Sequence, residues 1–142
     1  MVSKRSIFNK VVADNKFELE VAEALAGCLD IVSFAKLPRS VGFRIEYRNA
    51  EGSIANYYPD FVVKETPGRI WVVETKGRED LDDPPKWARL KEWCQDATAK
   101  ADGREFRALF VRQEDWERYR PKTFAAIREA FEEKSPEPDR PA

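Results

Sequence analysis

The sequence contains no histidine. That absence removes Ser-His-Asp and Cys-His triads, His-Glu-x-x-His zinc sites, and every hydrolase whose general base is an imidazole. Acid–base or metal chemistry in this chain must run on carboxylates and lysine. Cysteine is scarce too: Cys28 and Cys94 are too few and too far apart for a zinc site. Both fall in apolar periodic segments and read as small core residues in a reducing compartment. Charge of one sign is not in excess, with 25 basic against 26 acidic residues and a formal net charge of −1. Bulk electrostatics therefore supplies no hold on nucleic acid. No run approaches the ~18 apolar residues of a membrane span, and residues 1–10 lack a signal peptide's apolar stretch. These absences predict a cytoplasmic protein with no membrane partner.

What is present is enough for one folded unit. At 142 residues, 42% hydrophobic and 12% aromatic, the chain buries roughly 68–70% of its unfolded surface and needs no staples. Residues 15–29 predict an amphipathic helix, since Phe17, Val21, Ala24, Leu25 and Cys28 recur at three and four. Residues 31–37 form a short apolar run, and residues 43–48 alternate apolar and charged side chains; both predict strands. Two further strands are expected over residues 56–64 and 69–75, with Pro67-Gly68 turning the chain between them. Asp82-Asp83-Pro84-Pro85 opens a helix to about residue 101. A strand over 106–111 and a helix over 122–134 follow. Residues 1–134 are expected to form a single domain, and the proline-rich tail 135–142 to be disordered. The element order suggests an α/β or α+β sheet with helices packed on it.

The sharpest local feature lies in the hairpin. A turn centred on Pro67 places Asp60 opposite Glu74, because each is seven residues from that centre. Like charges directly opposite on a sheet repel, so the pair calls for a cation between its carboxylates. Lys76 is one candidate and a divalent metal is another. Hard oxygen donors without His or Cys suit Mg²⁺ or Mn²⁺. The bland alternative is a structural lysine–carboxylate cluster at the end of a sheet.

Tyr58-Pro59-Asp60-Phe61-Val62-Val63 followed by Val73-Glu74-Thr75-Lys76-Gly77 resembles the signature of the PD-(D/E)XK nuclease superfamily. It is closest to the endonuclease domain of type III restriction-enzyme Res subunits. Upstream Phe17-Glu18 with Ala22, and downstream Lys86 through Trp93-Cys94, extend the likeness over about residues 12–111. The resemblance implies a restriction-endonuclease-like α/β core, a mixed central sheet flanked by helices in αβββαβ order. It implies a Mg²⁺-dependent endonuclease, with Mn²⁺ as substitute, that cuts DNA. Asp60, Glu74 and the Thr75 carbonyl would hold the ion, and Lys76 would be the catalytic lysine. A glutamate from the first helix often joins such sites. At about 100° per residue, Glu18 falls inside the apolar stripe, Glu20 well off it and Glu23 nearly opposite. Glu18 is therefore the candidate for a catalytic or metal-supporting role.

Lys36, Arg39, Arg44 and Arg48 form a basic stretch that could track a DNA backbone, although outward faces of half-buried strands look the same. Lys86 shares its helix face with Trp87, Leu90, Trp93 and Cys94. A cation in a helix's first turn opposes the macrodipole, so it wants a DNA phosphate or Glu74; a snorkelling lysine is the alternative. Trp87 and Trp93 read as core. Res subunits carry a helicase-like motor, but no Gly-x-x-x-x-Gly-Lys-[Ser/Thr] loop occurs here, so no ATP site is expected. The chain is either a module of a longer protein or a small stand-alone relative. Helicase/translocase and modification subunits or domains outside the chain are its expected partners, and they would explain the balanced charge. A catalytically inactive nuclease-fold module for nucleic-acid binding or assembly is the competing expectation.

Overall fold

A computed structural model describes residues 16–77 and 81–132. The chain runs α1 (Lys16–Gly27), β1 (Ser33–Lys36), a 3₁₀ turn (Arg39–Val41), β2 (Ile45–Arg48), β3 (Ile54–Tyr57), β4 (Phe61–Thr66) and β5 (Arg69–Lys76). It continues through α2 (Asp83–Lys100), β6 (Glu105–Arg112), α3 (Gln113–Tyr119) and α4 (Phe124–Phe131). Asn15 and the tail 135–142, to which the sequence assigned a helix start and disorder, lie outside the described residues.

The central sheet has the order β1-β4-β5-β6. β1–β4 and β4–β5 are antiparallel, whereas β5–β6 is parallel. A parallel pair needs a crossover helix, and α2 supplies it. The expected mixed sheet flanked by helices is therefore present, with β2 and β3 inserted between β1 and β4.

Both faces of β5 are covered, which accounts for its unbroken apolar run. Trp71 and Val73 pack on one face with Phe17, Val21 and Leu25 of α1 and with Phe124 and Ile127 of α4. Val72 packs on the other with Trp87, Leu90 and Cys94 of α2 and with Phe110 of β6. The core assignment of Trp87 holds: its ring meets Phe110 edge-on at 5.7 Å. Trp93 lies between Phe43 and Phe106.

One expected strand divides. Residues 56–64 contain the end of β3 and the start of β4, separated by Tyr58-Pro59-Asp60. Pro59 has no N–H to donate and cannot continue a ladder. β3 instead pairs with β2 as a separate two-stranded sheet, with Ile45 opposite Tyr57. This hairpin lies against α2 through Ile45, Tyr47 and Tyr57. α3 was not expected, because it buries only Trp116 and shows no apolar period.

Candidate active site

Asp60 is delivered by the break before β4. Its backbone N–H donates to the Val73 carbonyl at 3.1 Å, which continues the register Phe61↔Val73 by one step. Asp60 thus falls opposite Glu74, as a turn centred on Pro67 predicts. One carboxylate oxygen of Asp60 accepts from the Thr75 N–H at 2.8 Å and from the Thr75 hydroxyl at 2.7 Å. The other lies 3.6 Å from Lys36 Nζ, which is itself 3.7 Å from Glu18 Oε1. Glu18 sits on the buried face of α1 beside Phe17 and Val21, whereas Glu23 is exposed and Glu20 half-buried.

These groups share one electrostatic balance. Burial pushes the Glu74 carboxyl well above the usual carboxylate range, and the Asp60 charge beside it pushes further; Lys86 and Lys76 oppose this. Burial acts on Asp60 in the same direction. There, hydrogen bonding with Glu74, Glu18 and both Thr75 donors outweighs it and holds the group below its ordinary value. Of the two, Glu74 is therefore the one that takes a proton more readily and Asp60 the one that more readily carries the charge. A cation between the carboxylates could take that proton's place.

A cavity of about 610 Å³ opens over this cluster, lined by Glu18, Lys36, Asp60, Glu74, Lys76 and Lys86 among others. Catalytic, metal and basic candidates that are scattered in sequence thus meet in one place. Lys36 is buried and lies between the Glu18 and Asp60 carboxylates, where the sequence had offered it to a DNA backbone. A lone cation at the end of an apolar strand was the available signal. Lys76 Nζ lies 3.6 Å from Asp83 Oδ1. Lys86 Nζ lies 5.8 Å and 5.9 Å from the ring centroids of Tyr47 and Tyr57 and acts electrostatically on Glu74.

Arg44 and Arg48 are exposed and do not line this cavity; the Arg48 guanidinium donates to the Gly52 carbonyl. Arg39 belongs to the 3₁₀ turn, and its side chain lies outside the described residues. Sequence reasoning missed Tyr57 and Asp83. The buried Tyr57 hydroxyl has no hydrogen-bond partner among the described residues. Burial, then the Glu74 and Asp60 charges, push its pKa well above the usual tyrosine value.

Among the described residues, no group of three or more His, Cys, Asp or Glu side chains is arranged to hold a metal ion. The oxygen donors that could do so are the Asp60–Glu74 pair and the Thr75 backbone carbonyl. Such a partial set fits Mg²⁺, which keeps several waters and usually takes one or two protein carboxylates.

A family model described as Endonuclease domain matches residues 4–109. The chain belongs to this endonuclease-domain family. Membership indicates a nuclease of the hydrolase class, with DNA as the substrate it implies. No curated protein and no solved structure matches the chain. Among the described residues, no helix of this endonuclease domain is long and apolar enough to cross a membrane.

Proposed function

We propose that the chain is a Mg²⁺-dependent endonuclease of the PD-(D/E)XK type, the cleavage module of a type III restriction-like system. The observation that carries this reading is the pairing of half-buried Asp60 with buried Glu74 at the cavity, with Lys76 two residues further along β5. Asp60, Glu74 and the Thr75 carbonyl would hold the ion, with Glu18 supporting Asp60 from α1. The ion supplies charge neutralisation at the scissile phosphate and acidifies an attacking water. Lys76 places a fixed positive charge beside the cavity, where it can orient that water or meet developing phosphorane charge. Lys86 offers a second cation to a phosphate oxygen. Helicase/translocase and modification components would raise cleavage by delivering the DNA, while the isolated domain keeps a slow nicking activity of its own.

One observation favours the catalytically inactive alternative: Lys36 already gives Asp60 and Glu18 an internal counter-charge. Plasmid nicking with Mg²⁺ or Mn²⁺ tests the choice beside Asp60→Ala and Lys76→Ala. Wild type should nick and both variants should lose activity by about 100-fold or more. Undiminished nicking by Asp60→Ala would remove the proposed site. Wild type without calorimetric Mn²⁺ binding would favour the inactive module.

A further inference from the structure

We propose that Asp83 is the positioning residue for Lys76, an inference that rests on the nuclease reading of the site. Lys76 ends β5, and the parallel ladder sets Arg112 of β6 beside it. Adjacent like charges on a sheet repel, so this pairing does nothing to hold the Lys76 ammonium still. A lysine side chain also has four flexible carbons and loses considerable entropy when fixed.

Asp83 approaches from outside the sheet. Its Oδ1 lies 3.6 Å from Lys76 Nζ, and its side chain is 2% exposed against 21% for Lys76. It stands in the first turn of α2, where aligned backbone N–H groups favour a negative charge. An acidic residue serving the helix dipole alone needs no burial, and desolvating it is costly without a charged partner. The buried carboxylate and half-open ammonium together form an anchor at the edge of the cavity.

The anchor has a direction. Asp83 draws Lys76 toward α2, from where Lys76 still acts electrostatically on Glu74. The space between the two carboxylates is left to a proton or a cation, while the ammonium faces the cavity where a phosphate and its attacking water would lie. Asp83 does not line the cavity, and its route to that space runs through Lys76.

The test uses the full chain with Asp83→Asn, which keeps shape and removes charge, and Asp83→Glu, which keeps charge. The lysine ammonium signals are followed by ¹⁵N NMR, with Lys76 assigned by the signal lost in Lys76→Met. The Lys76 signal should shift and broaden in Asp83→Asn and return toward wild type in Asp83→Glu. An unchanged signal in Asp83→Asn overturns the proposal whether or not the protein cleaves. In plasmid cleavage, Asp83→Asn should lower kcat by about 100-fold at unchanged KM, with partial recovery in Asp83→Glu. Added to Lys76→Met, it should cost nothing more on the residual rate. A further loss in that background, or a loss expressed in KM alone, overturns the positioning role. Wild type that neither cleaves nor binds Mn²⁺ overturns the nuclease reading instead, and the NMR result separates the two failures.

Discussion

Lys36 shows how one side chain changes meaning when its surroundings are known. A basic residue on a solvated strand contributes little to stability, whereas Lys36 is buried between two carboxylates. Removing one member of a buried ionic cluster leaves uncompensated charge behind. Lys36→Met should therefore lower unfolding free energy by about 3 kcal/mol, measured by urea denaturation at neutral pH. A change within about 0.5 kcal/mol, the usual range for surface substitutions, would show that Lys36 serves the outside of the molecule. Glu18 was legible from helical phase alone, because its neighbours on the stripe are apolar. The partner that makes its burial tolerable lies on a different element and was not. Cys94 behaves as the sequence suggests: burial pushes its thiol up to about 12, which makes it a poor nucleophile at neutral pH.

Two elements owe their placement to single aspartates. Asp30 follows α1 yet caps α4: its two oxygens accept from the Phe124 and Ala125 N–H groups, each at 2.9 Å. Thr123 takes the next N–H, from Ala126, so the first turn of α4 is satisfied in sequence order. Burial works to raise the Asp30 carboxyl, but these backbone hydrogen bonds, with help from Arg128, hold it below 3.8. A carboxyl depressed on folding contributes stability above its unfolded pKa and loses it as pH falls through the lower folded value. The Tm gap between wild type and Asp30→Asn should therefore be widest above about pH 4 and close in more acid solution. A gap independent of pH would sink this account. Asp82 plays the matching part for the β2–β3 hairpin, accepting from the Ala50 N–H at 3.0 Å and from the Tyr47 hydroxyl at 3.5 Å. Arg89 adds a bond to the Glu46 carbonyl. Asp82→Ala should loosen the hairpin by about 1 kcal/mol, read as faster amide exchange in residues 45–57 with β4 and β5 unaffected. Neither latch was visible beforehand, since each joins segments that no local period relates.

At the scale of the whole molecule, the charge balance and the site are consistent. A net charge of −1 gives no general attraction to a polyanion, and Lys36 and Lys76 at the cavity are tied to acidic partners. The isolated chain should bind duplex DNA weakly, with Kd no tighter than about 10⁻⁶ M at physiological salt, measured by fluorescence anisotropy. Nanomolar binding would show that the domain finds DNA unaided. The sheet core followed from hydrophobic patterning, whereas the inserted hairpin did not. Alternating residues over 43–48 specify a half-buried strand without specifying which strand it joins, and Pro59 redirected the pairing toward residues 54–57.

The sequence by itself narrowed the candidate chemistry and determined one register. Without histidine, carboxylates and lysine became the candidates for acid–base or metal chemistry, and the Pro67-Gly68 turn with period-two alternation brought Asp60 opposite Glu74. Both are properties of residues close together along the chain, where covalent geometry limits the choices. Tertiary structure alone decided that Lys36 faces inward to Glu18 and Asp60, that Lys76 leans to Asp83, and that the hairpin lies against α2. Those outcomes join distant segments, and packing and charge compensation select among arrangements that the local pattern leaves equally open.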